Sequence, residues 1–86
     1  MSNQLISKLE NVKTRADLSE FVSALLNDLE GNNAEWENAS LSDFLEAMSS
    51  WIEDMDGYYK NQGKPFSEDQ PWKLFADILY ASKIYE

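Results

Sequence analysis

LSDFLEAMSSWIEDM, residues 41–55, sets Leu41, Phe44, Leu45, Met48, Trp51, Ile52 and Met55 at offsets 0, 3, 4, 7, 10, 11 and 14. Residues three and four apart share one face of an α-helix, so this spacing predicts an amphipathic helix with a continuous apolar stripe. Asp43, Glu46, Ser50, Glu53 and Asp54 fall on the opposite side. Ser40 reads as the N-cap, with Asp43 at the third helical position, and Gly57 reads as the stop. The predicted helix covers 41–56.

Toward the N-terminus the same period continues. Leu5, Ile6, Leu9 and Val12 share a face of a short helix starting near Asn3. Thr14 and Asp17 form a capping-box variant that opens a second helix, carrying Leu18, Phe21, Val22, Leu25, Leu26 and Leu29 toward a left-handed stop near Gly31. Toward the C-terminus, KNQGKPFSEDQ (60–70) is a polar connection. Pro71 fits the first position of a last helix, with Asp69 or Gln70 capping it. That helix has two apolar faces, one with Trp72, Phe75, Ala76 and Leu79, the other with Leu74, Ile78, Ala81 and Tyr85. Such a helix is either the buried centre of a bundle or is covered on one side by a second subunit, giving a monomer or a homodimer. Ile84 and Tyr85 stay apolar to the end, which predicts a docked terminus.

Strand-like alternation is absent. The expected fold is all-α: a small bundle of about four helices, near 3–12, 15–30, 41–56 and 71–85, forming a single helical domain over 1–86. The third and fourth helices are its expected core, with Trp51, Ile52 and Met55 inside. Eighty-six residues with 43% hydrophobic side chains, three Trp, four Tyr and four Phe suit one folded domain rather than a disordered chain.

Composition narrows the chemistry. With no Cys and no His, the chain lacks thiol nucleophiles, disulfides, cysteine metal sites and the commonest general base. No signal-peptide pattern and no membrane-length apolar run occurs, so the expected location is the cytoplasm, away from the membrane. The net charge of −9 is concentrated. Between Ala16 and Tyr59 stand eleven carboxylates and no Lys or Arg, whereas the other 42 residues carry seven basic and five acidic side chains. Such a region repels nucleic acid and anionic lipid, and attracts a basic protein surface.

WIEDMDGYY (51–59) invites a calcium reading. Aligning Gly57 with the sixth position of an EF-hand loop puts Asp56 and Asp54 at the fifth and third. Ile52 and Gly63 then occupy the first and twelfth positions, where oxygen ligands are required. No metal site and no cofactor is expected. Paired carboxylates can act as acid and base, but Glu53, Asp54 and Asp56 fall at the solvent side of a helix end, so no catalytic residue is expected.

The candidate binding residues are Trp36, Asn38, Asp43, Glu46, Glu53, Asp54, Asp56 and Tyr58. The carboxylates form either a plain solvated helix face or a docking surface, and their single sign favours the second. Trp36, between Glu35 and Glu37, either plugs the gap between the second and third helices or stands exposed for binding.

W-E-N at 36–38, L-x-x-F-L-E-A-M at 41–48, W-I-E-D-M-D-G-Y-Y at 51–59, P-W at 71–72 and A-S-K-I-Y-E at the C-terminus together resemble a family of small bacterial proteins of unknown function. The resemblance covers about residues 36–86. It implies a helical domain and marks Trp36, Asn38, Asp54, Asp56, Gly57, Tyr58 and the Lys83–Glu86 end as pattern positions, with no reaction or cofactor attached. The functional expectation is a non-enzymatic interaction module, immunity- or inhibitor-like in profile, that meets a basic protein. Its rivals are a ligand-binding or catalytic domain with a cleft between Trp36, Tyr58 and the last helix, and a homodimeric structural protein paired through the second apolar face of the last helix.

Overall fold

The computed structural model describes residues 3–86. All regular structure in them is helical: α1 (Asn3–Glu10), α2 (Arg15–Gly31), α3 (Leu41–Asn61) and α4 (Trp72–Ser82), with a 3-10 turn at Asn33–Glu35. The all-α expectation holds, with four helices. The chain falls into two compact units, one ending at Ile52 and one running from Glu53 to Glu86.

The first unit begins as a helical hairpin. Gln4, Leu5 and Lys8 line one shallow depression with Ala24, Asn27, Asp28 and Asn32, while Ser7 and Asn11 line another with Asp17 and Glu20. The start of α1 thus lies beside the end of α2, the antiparallel arrangement that a short connection enforces. Thr14 sets the entry to α2. Its hydroxyl accepts the Asp17 N–H at 3.0 Å, and the Asp17 carboxylate accepts the Thr14 and Lys13 N–H groups at 3.2 and 3.1 Å. Aspartate here does the work of the usual Glu or Gln. Helix α2 does end at Gly31, but not through a left-handed glycine. Asn32 closes it, its backbone N–H on the Asp28 carbonyl at 2.7 Å and its side-chain amide on the Asp28 carboxylate at 3.1 Å. Ser40 caps α3 by accepting the Asp43 N–H at 3.1 Å.

The second unit holds the rest of α3, the connector and α4. Here α3 runs straight through Gly57 to Asn61, five residues past the expected end. Gly57 keeps a helical backbone, and the left-handed residue is Gly63, with φ +69°. The Lys64 N–H reaches the Tyr59 carbonyl at 2.9 Å and the Gly63 N–H reaches Lys60 at 3.1 Å. This is a Schellman closure, and it satisfies the Tyr59 and Lys60 carbonyls. Helix α4 departs from expectation at both ends. Pro71 is its N-cap rather than its first residue, and no side chain caps it. Asp69 donates its N–H to the Ser67 hydroxyl, and Gln70 donates its side-chain amide to the Ser67 carbonyl. At the C-terminus, Ile84 and Tyr85 donate to the Ala81 carbonyl, yet their side chains are 71% and 87% exposed. The terminus is turned but not docked.

The expected core is corrected too. Among the described residues no hydrophobic side chain is fully buried. Met48 and Met55 are half-buried, while Trp51 and Ile52 are 46% and 40% exposed. On α4, in the second unit, only Leu79 is half-buried. The elements of each unit simply cover less apolar surface than the stripes present.

Candidate functional site

The connector after α2 brings its aromatic residue between two helices. Trp36 is half-buried, stacks on Phe44 of α3 with ring centroids 6.1 Å apart, and donates its indole N–H to the Asp28 carboxylate of α2 at 2.7 Å. A charged acceptor makes this a strong hydrogen bond. The same carboxylate holds Asn32, so one side chain fixes both the end of α2 and the plug behind it. Of the two readings of Trp36, the structure shows the plug.

Beside Trp36 lies a groove of about 390 Å³ in the first unit. Its walls are Val22, Leu25, Leu26 and Leu29 of α2, Ala39 of the connector, and Leu41 and Phe44 of α3; Asn38 and Ser40 supply the polar edge. Val22, Leu26 and Leu41 are 55%, 53% and 73% exposed. The sequence places these three on the apolar faces of the second and third helices. The signal that identifies them as surface is structural: two helical stripes meet over a gap that no described residue of the unit fills.

The carboxylates are arranged differently. Asp43 and Glu46 are exposed on the first half of α3, and Glu53, Asp54 and Asp56 on its second half. Asp56 accepts the N–H of its neighbour Gly57 at 2.9 Å. The first cation on the helix is Lys60, at its last turn. Among the described residues no three acidic side chains converge as metal ligands.

In the second unit, aromatic side chains form a chain of contacts. Tyr58 meets Tyr59 edge to face, Tyr59 stacks on Phe66 at 5.6 Å, and Phe66 leans on Trp72 at 6.4 Å. The Trp72 indole N–H is satisfied by the Glu68 carbonyl at 2.7 Å. Tyr59, Phe66, Trp72 and Phe75 line a cleft of about 370 Å³ together with Met55, Pro65, Gln70 and Pro71. None of the eight candidate residues lines it. Trp36 and Asn38 are therefore brought together on the apolar groove, the five carboxylates of α3 stay in solvent, and Tyr58 joins the aromatic chain.

No described helix is long and apolar enough to cross a membrane. No curated protein and no solved structure matches the chain. One family model does match, over residues 14–86, from the Thr14 cap of α2 to the last residue, and so further toward the N-terminus than the strings at 36–86 reach. The chain belongs to this family of unknown function, DUF7660.

Proposed function

We propose that the protein is a non-enzymatic interaction module whose acidic middle region docks on a basic protein surface, in the manner of an immunity protein or inhibitor. One observation carries the reading. Asp43, Glu46, Glu53, Asp54 and Asp56 are all exposed on a helix with no cation before its last turn, so their charge is directed outward. A face built only for solubility mixes both signs. Dense carboxylates of one sign raise the rate of encounter with a cationic partner and make the complex salt-sensitive. In this reading the protein works in the cytoplasm of a bacterial cell, as one helical domain.

The test is capture of partners from native lysate followed by a salt series. The affinity for the captured protein should fall steeply from low to high ionic strength, and the double variant Glu46→Lys/Glu53→Lys should abolish capture. Salt-insensitive binding, or none, overturns the reading.

The small-ligand reading has one observation in its favour, the aromatic cleft of the second unit. Aromatic walls with few polar groups suit a flat apolar ligand. Loss of a ligand-induced tyrosine or tryptophan signal in Phe66→Ala is its expected mark; a library screen with no thermal shift removes it.

A further inference from the structure

The groove beside Trp36 is an apolar trough in a negative surround. Val22, Leu25, Leu26 and Leu29 form its α2 wall, which covers about 10 Å of helix axis, or two turns. An apolar seat of that length between two helices fits the face of one more helix, with anchors at i, i+4 and i+7. Its walls are held before anything binds: Trp36 is tied to Asp28 and stacked on Phe44, and Ser40 caps α3. A preformed seat loses little entropy when it is filled. Helix α1 lies along another part of α2, beside Ala24, Asn27 and Asp28, and leaves Val22 and Leu26 exposed.

Charge names the occupant. Glu30 follows Leu29 on α2, and Glu35 and Glu37 stand on either side of Trp36 in the chain. All three are exposed, and no Lys or Arg occurs from Ala16 to Tyr59 to offset them. The bases of this unit, Lys8, Lys13 and Arg15, lie on α1, in the turn after it and at the start of α2. We infer that the groove seats a cationic amphipathic helix of a partner protein. Its apolar face meets Val22, Leu26 and Leu41, and its Lys or Arg side chains meet Glu30, Glu35 and Glu37. No described helix of this chain has that charge: α1 sets Lys8 against Glu10 and α4 sets Lys73 against Asp77, while α2 and α3 are negative. For its partner's charge the inference rests on the acidic docking reading, and it narrows that partner from a basic surface to a basic helix.

The probe is a labelled Leu/Lys peptide of about 15 residues, with leucine at i, i+4 and i+7, titrated with the full chain beside a shuffled peptide of equal composition. By fluorescence anisotropy the helical peptide should bind at least about tenfold tighter than the shuffled one. In methyl NMR of the unaltered protein, Val22, Leu26 and Leu41 should shift first. Leu26→Asn, at an exposed position, should hardly move the melting temperature and should weaken the helical peptide about tenfold. Glu35→Gln/Glu37→Gln should weaken it about tenfold at low salt and far less near 1 M, where charges are screened within about 3 Å. Equal binding of the two peptides, or methyl shifts confined to the second unit, overturns the proposal. So does a groove already filled by this chain or by a second copy: Leu26→Asn then lowers the melting temperature or splits a dimer in sedimentation, and the helical peptide shifts nothing. Capture of a native partner that Glu46→Lys/Glu53→Lys abolishes and Leu26→Asn leaves intact overturns the groove and keeps the docking reading. No capture, with the peptide seated on the groove, does the reverse.

Discussion

The two long connectors are each closed by a tryptophan, and the two closures differ in what accepts the indole proton. Trp36 donates to a side chain, the Asp28 carboxylate on the helix before it; Trp72 donates to a backbone carbonyl, Glu68, four residues earlier in its own loop. Both rings also meet a phenylalanine, Trp36 stacked on Phe44 and Trp72 tilted against Phe66. The first closure joins two helices across the chain, whereas the second stiffens one loop. A tie between helices should matter more to stability than one within a loop, because it closes a longer stretch of chain.

Trp36→Ala should therefore show the largest effect, about 3 kcal/mol by urea unfolding, against about 2 kcal/mol for the more exposed Trp72→Ala. Equal losses, or the reverse order, would break the comparison. Asp28→Ala should cost about 1.5 kcal/mol, since it strands two donors, and a double-mutant cycle with Trp36→Phe should return most of that as coupling. Coupling near zero would mean that the indole bond contributes nothing.

The glycines sharpen the second connector. At Gly63 the left-handed backbone makes Ala cost about 1 kcal/mol, whereas at Gly57, helical and with open space where a Cβ would sit, Ala should stabilise by about 0.7 kcal/mol. Opposite signs for two glycines six residues apart would verify where α3 stops; matching signs would move the stop. The smallest change is expected from deleting Ile84–Glu86. With the last side chains so exposed, the melting temperature should hardly move.

Local rules were the legible part of the sequence. The period of LSDFLEAMSSWIEDM, the Thr14–Asp17 box and the Ser40 cap each depend on residues within four positions, and each forms. Gly57 misled because glycine permits a stop without requiring one; the residue that supplies it, Gly63, also lies ahead of a backbone able to complete the closure. Trp51 misled for a different reason. A stripe shows that a face is apolar but not that something covers it, and cover is decided by packing between distant residues. The same limit hid the groove at Val22, Leu26 and Leu41, while the composition pointed correctly to where negative charge would be exposed.

The absence of Lys and Arg from Ala16 to Tyr59 has a consequence for how this protein can be altered in a cell. Acetylation, ubiquitin attachment and cleavage by trypsin-like proteases all require a basic side chain. Helix α2 after Arg15, the Trp36 plug and all but the last two residues of α3 offer none, so the groove and its neighbouring carboxylates are chemically silent to those enzymes. Any such control must act from Lys60 onward or at Lys8, Lys13 and Arg15, outside the region that carries the charge.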